Sequence, residues 1–194
     1  KDGNVWLVED IGGASASGGK VPNSYVYRFR PTDKTDLTKG GTLEALQILR
    51  KDGTPATAAQ LQANPSDAFI ADLHTYGTSF KTRWTTVHSG APAAFDATAA
   101  AKAANATPLK RPENGVFRPG TDFKQFYFTE TGDTSATSTL PGAFGGVFRL
   151  SQSGPSAATG TITIAAVGDV AHTGLDNISF LTKDDLLVVE DAGD

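Results

Sequence analysis

Cysteine and methionine are both absent from this chain of 194 residues. Without cysteine there is neither a disulfide framework nor a thiolate metal site within it. Position 1 is Lys instead of Met, so Lys1 is expected to have been exposed by processing or truncation. The chain opens almost directly on an apolar run, Val5-Trp-Leu-Val8, and closes just after another, Leu186-Leu-Val-Val189. Domains usually begin and end in surface linkers. The expectation is therefore one domain spanning residues 1–194, with sequence missing at both ends. No apolar run is long enough to span a bilayer, and no signal-peptide pattern is present. An excess of positive charge is lacking too: 17 Lys and Arg stand against 21 Asp and Glu, for a net charge of -4. That argues against a nucleic-acid-binding surface. His74, His88 and His172 match no zinc spacing, and no nucleophile elbow, P-loop or dinucleotide fingerprint occurs.

What is present points to β structure. Apolar residues make up 39% of the chain, and 21 glycines supply many turns. Ser24-Tyr-Val-Tyr-Arg-Phe-Arg30 alternates aromatic and polar residues as a half-buried strand does. Val5 to Val8, Phe126 to Phe128, Gly146 to Leu150, Gly160 to Ile164, Ile178 to Phe180 and Leu186 to Val189 read as further strands, mostly bounded by Gly, Pro, Asp or Asn. Trp6, Tyr25, Tyr27, Phe126 and Phe128 sit at strand spacing and read as core. Ala58 to Gln62 and the Ala-rich Ala93 to Asn105 read as helix, the second with Asp96 or Thr98 as N-cap. Together they suggest a helical insertion near 56–105. Ser66 to His74 is readable as helix or strand. Ser15 to Gly19 and Thr131 to Gly145 read as long surface loops.

One pattern recurs. Val5-Trp-Leu-Val-Glu-Asp10, Phe126-Tyr-Phe-Thr-Glu-Thr-Gly-Asp133 and Leu186-Leu-Val-Val-Glu-Asp-Ala-Gly-Asp194 each run from a strand into acids. The first two are followed by a strand carrying an outward Arg, Arg28 and Arg149. Successive propeller blades have this appearance. The acids Glu9, Asp10, Glu130, Asp133, Glu190, Asp191 and Asp194 could hold a hard cation such as Ca2+, which takes roughly six to eight oxygens. The neighbouring Gly12, Gly13, Gly132 and Gly193 would let backbone carbonyls turn towards it. Acids in turns can equally be simply solvated. In Leu109-Lys-Arg-Pro-Glu-Asn-Gly115, Pro112 is expected to push Arg111 to an extended conformation, with Arg111 and Glu113 straddling a rigid Pro. Arg suits phosphate and Glu a metal; a surface turn feeding a strand is the plainer reading. Asp176 and Asn177 precede a strand, where Asx turns are common.

In this order the pieces resemble the PhoX-like alkaline phosphatases. The resemblance rests on Val5-Trp-Leu-Val-Glu-Asp10, Asn23-Ser-Tyr-Val-Tyr-Arg-Phe29, Gly41-Thr-Leu-Glu-Ala-Leu46, Ala106-Thr-Pro-Leu-Lys-Arg-Pro-Glu113, Gln125-Phe-Tyr-Phe-Thr-Glu130, Gly146-Val-Phe-Arg-Leu150, Leu175-Asp-Asn-Ile178 and Val188-Val-Glu-Asp191. It implies a mainly-β fold, about half of a six-bladed β-propeller. It also implies a periplasmic or extracellular location and hydrolysis of small phosphate esters at a site holding Ca2+ and possibly Fe3+. Arg111 takes the place of the phosphate-contacting Arg. Glu9 and Glu113 take the place of metal ligands, and Glu190 or Asp191 that of a further metal carboxylate. Asp10, Glu130, Asp176 and Asn177 are additional candidates for metal or substrate. Asn114 departs from the family, as does the absence of a cysteine ligand, and the remaining blades would belong to a longer parent chain. A non-catalytic, calcium-stabilised propeller is the alternative; a propeller lactonase is a third reading.

Overall fold

The computed structural model describes residues 3–135 and 137–191; Gly193 and Asp194 lie outside them. The first half of the fold is built from β1 (Val5–Val8), the small hairpin β2 (Ser15–Ala16) and β3 (Gly19–Lys20), β4 (Val26–Pro31) and β5 (Gly41–Ile48). The helices α1 (Ala58–Ala63) and α2 (Ala68–Leu73) follow, then β6 (Ser79–Gly90) and α3 (Ala97–Ala103). The second half holds β7 (Pro112–Phe117), β8 (Gln125–Glu130), β9 (Gly146–Gln152), β10 (Thr159–Val167), β11 (Leu175–Phe180) and β12 (Leu186–Glu190).

Eight strands make one antiparallel sheet in the order β1-β4-β5-β6-β10-β9-β8-β7. It consists of two four-stranded meanders joined edge to edge where β6 pairs with β10, from Arg83 opposite Thr159 to Ser79 opposite Thr163. At the opposite edge Trp6 of β1 meets Phe117 of β7, ring centroids 5.2 Å apart, so the sheet is nearly closed. The mainly-β expectation holds. The partial propeller is not confirmed, because separate blades would leave β6 and β10 unpaired with one another. The helical insertion is also divided: β6, the longest strand, lies between α2 and α3. Its Thr-rich sequence is β-forming, and it was not recognised as a strand.

Alternation places the core. Val26, Leu46, Ile48, Phe80, Phe126, Phe128, Phe148, Leu150 and Ile162 point inward, where Leu61 of α1 and Phe69, Ile70 and Leu73 of α2 join them. Each such side chain contributes about 1.5–3 kcal/mol by leaving water. Tyr25, just before β4, and Tyr27, on its other face, pack with Ala101 near the end of α3. Tyr127, on the other face of β8, packs under the β11–β12 hairpin with Leu175 and Ile178. The aromatic residues read as core are all packed. Helix starts follow local chemistry: Thr57 and Gln60 form a reciprocal capping box on α1, and Asp96 accepts from the Ala99 amide at 2.9 Å at the start of α3.

Arg28 is not outward. It is 0% exposed and its Nε donates to Glu44 at 2.9 Å. Its Nη1 donates to the carbonyls of Pro155 and Ala157, and its guanidinium lies 4.5 Å from the Trp84 ring centroid. Glu44 stands directly opposite it on β5, so cross-strand pairing supplies the counter-charge that lets Arg be buried. Two loops read as surface segments differ as well. Ser15 to Gly19 forms most of the β2–β3 hairpin. Thr131, Asp133, Leu140 and Ala143 are buried, so these described parts of the loop fold back onto the body.

Candidate functional site

Antiparallel order brings the ends of β1, β8 and β12 and the start of β7 to one rim. There Arg111 is held by two acids from different strands. Its Nε donates to Asp10 Oδ1 at 2.7 Å and its Nη2 to Asp10 Oδ2 at 3.3 Å, while Nη2 also donates to Glu113 Oε1 at 2.9 Å. The side chain is 24% exposed. Among the described residues Nη1 has no hydrogen-bond partner, which leaves one edge of the fork open to solvent. Arg111 has a φ of 60°, so the extended conformation expected before Pro112 is not adopted. Thr131 N donates to the Arg111 carbonyl at 2.9 Å and Gly132 N to the Lys110 carbonyl at 3.0 Å. These bonds to the segment after β8 hold the chain in the left-handed region against the preference of a side-chain-bearing residue.

The two acids are also close to each other. Burial pushes the Glu113 carboxyl up, and the charge of Asp10 beside it adds to this. For Asp10 burial acts upward as well, but the hydrogen bond and charge of Arg111 outweigh it and leave the carboxyl below its usual range. The adjacent acids are thus driven apart, one favouring its proton and the other its charge. Arg111 is held more firmly protonated, first by its bond to Asp10 and less by Glu113 and Asp191. Asp191 therefore belongs to the same electrostatic neighbourhood; its amide donates to Gly174 O at 2.8 Å.

The remaining candidates separate. Glu9 points elsewhere: Thr98 donates to it at 2.7 Å, the Tyr27 hydroxyl at 3.3 Å and the Tyr25 amide at 3.1 Å. Thr98 is thus a partner of Glu9, and Asp96 is the cap of α3. Burial and the Glu9 charge push the Tyr25 hydroxyl up to about 12 and the Tyr27 hydroxyl higher still. Glu190 ends β12 and is exposed. Asp176 and Asn177 lie on β11, where Asn177 Oδ1 accepts from Asn114 Nδ2 at 3.0 Å, and Asn177 Nδ2 donates to Asp176 Oδ2 at 3.0 Å. Asn114 thus links β7 to the hairpin.

Glu130 is turned inward, 1% exposed, so although β8 ends at the rim its acidic side chain does not face it. Its Oε1 accepts from the Lys110 amide at 2.7 Å, and its Oε2 lies 2.5 Å from His74 Nε2. Lys110 and Asp133 form a second buried pair, Nζ 3.0 Å from Oδ1, and Ser138 donates to Asp133 at 2.5 Å. These buried pairs were missed because their members lie far apart in sequence.

Among the described residues no group of three or more His, Asp or Glu side chains is arranged to hold a metal ion. Asp10 and Glu113 offer neighbouring carboxylates, but Arg111 already neutralises them and Glu9 lies apart. The described residues do not by themselves fit a complete calcium or iron centre. Nor is any described helix long and apolar enough to cross a membrane.

The profile of the family described as alkaline phosphatase PhoX matches residues 3–194. The chain belongs to that family. No curated protein and no solved structure matches it. The Arg111-Pro-Glu113 segment combines, at a rim, a fixed cation with an open guanidinium edge and, in Glu113, an acid that favours its proton.

Proposed function

We propose that this PhoX-family chain carries the phosphate-binding part of a phosphoesterase acting on small phosphate esters. The observation behind the reading is Arg111, fixed by Asp10 and Glu113 with one guanidinium edge open. That edge would hold non-bridging phosphoryl oxygens and offset the charge that builds on them. In hydrolysis water attacks phosphorus and the ester P–O bond breaks. Glu113, the acid that favours its proton, would supply it to the departing oxygen. Asp10, which favours its charge and has both oxygens on Arg111, would keep the guanidinium aimed, and the attacking water would release its proton to solvent. Dependence on Ca2+, with Fe3+ as a second candidate, is part of the proposal. Its ligand set would have to draw on donors beyond the described residues, and a propeller would likewise be completed by further blades of a parent chain. A periplasmic or extracellular location is proposed on family grounds alone.

A second reading is a non-catalytic module that binds or scaffolds. What favours it is that Arg111 already satisfies the acids nearest to it. The test is hydrolysis of an aryl phosphate by the full-length protein, with and without Ca2+ and Fe3+, beside Arg111→Ala. Metal-dependent turnover lost in the variant supports the phosphoesterase. Absence of turnover with a melting temperature still raised by Ca2+ supports the second reading.

A further inference from the structure

The left-handed backbone at Arg111, φ 60°, is strained for a residue with a side chain and persists only where the surroundings over-determine it. Here the determinants come from one short segment. Thr131 and Gly132 donate their amides to the carbonyls of Arg111 and Lys110. Glu130 Oε1 takes the Lys110 amide at 2.7 Å, and Asp133 takes its ammonium at 3.0 Å. Lys110 is thus gripped at its amide, carbonyl and side chain, one residue before the guanidinium that faces the rim.

Glu130 is itself held. His74 Nε2 lies 2.5 Å from its second oxygen, and the His74 and Glu130 side chains are 7% and 1% exposed. His74 Nδ1 faces the Ile70 carbonyl at 2.8 Å, and a carbonyl only accepts, so Nδ1 carries a hydrogen. The contact from Nε2 to a carboxylate then needs one more proton, on the imidazole or on Glu130. Without it a nitrogen lone pair and a carboxylate oxygen would face each other at 2.5 Å inside the protein. The Phe148 ring, its centroid 5.4 Å away at 78°, and Gly142 lie against the imidazole. The charged groups acting on it are Glu130 and, more weakly, Lys110.

We propose that Glu130, oriented by a proton shared with His74, is a positioning residue that holds Lys110 and so keeps Arg111 aimed at the rim. The inference rests on the phosphate-ester reading of Arg111. Burial works against a charged imidazole, but Glu130 outweighs it and raises the His74 pKa. The sign follows: a raised pKa means the clamp is intact at lower pH and loosens as pH rises through the folded-state value. Gln at position 130 separates shape from charge. Its carbonyl can accept from Lys110, and its amide can donate to Nε2 of a neutral His74.

The experiment measures inorganic phosphate affinity, aryl phosphate kcat and KM across pH, and melting temperature. It uses the full-length protein with Ca2+ present, as wild type, Arg111→Ala, Glu130→Ala and Glu130→Gln. Glu130→Ala is expected to weaken phosphate binding on the order of tenfold to hundredfold, the scale of a misplaced contact group. Glu130→Gln is expected to bind as wild type and to lose the decline in affinity with rising pH. A folded Glu130→Ala protein that binds phosphate like wild type overturns the inference. If that variant does not fold, Glu130→Gln decides: a pH profile identical to wild type overturns the inference and a flattened one supports it. Unchanged binding in Arg111→Ala would instead overturn the phosphate reading itself.

Discussion

Replacing Glu44 by Ala would leave the Arg28 guanidinium in the core without its carboxylate. Removing one partner of a buried pair costs about 3–5 kcal/mol, because a charge is stranded away from water. Here the figure belongs at the lower end. Arg28 keeps the carbonyls of Pro155 and Ala157, and it keeps the face of Trp84, a contact of about 2 kcal/mol when desolvated. A loss near 3 kcal/mol lowers the melting temperature of a domain this size by roughly 6–12 °C. Urea unfolding followed by tryptophan fluorescence suits the question, since both Trp6 and Trp84 lie against Arg28. The midpoint should fall with little change in slope. A loss below about 1 kcal/mol, the worth of an exposed ion pair, would refute the reasoning.

Gly145 has a φ of 66°, and an added Cβ would lie 1.8 Å from the Glu130 carbonyl oxygen. Gly145→Ala should therefore cost more than the ~1–2 kcal/mol of left-handed backbone alone, as chemical denaturation would report. Asp67 caps α2 through the Phe69 amide at 2.9 Å and takes both Nη1 and Nη2 of Arg50. That ion pair, above all, depresses its pKa. A depressed carboxylate stabilises above its unfolded pKa and loses that contribution as pH falls through the folded value. As pH falls below the ordinary carboxylate range, melting temperatures should accordingly fall more steeply for wild type than for Asp67→Asn.

β4 was legible in the sequence because its aromatic and polar residues alternate, and β8 because Phe126-Tyr-Phe128 is a run of strand formers. The capping box of α1 was not singled out, although that helix was. β6 escaped because its threonines and basic residues carry no clear apolar period. The joining of the two meanders escaped because the β6–β10 ladder pairs residues far apart in the chain, which local pattern does not encode. At the site, Arg111 and Glu113 were found as a pair across Pro112, and Asp10 was found as a strand-end acid. The identical look of Glu9 and Glu130 misled. One residue of difference at a strand end turns a side chain from rim to core, so Glu9 faces Tyr27 and Glu130 faces His74. Arg28 was read outward for the same reason, since its buried partner Glu44 lies on another strand.

A crystal structure of the full-length protein grown with inorganic phosphate tests the central claim most directly. The account predicts phosphate at the rim, within hydrogen-bond reach of the Arg111 guanidinium, with Glu130 still bonded to the Lys110 amide. Phosphate bound away from Arg111, with the rim unchanged, would contradict it.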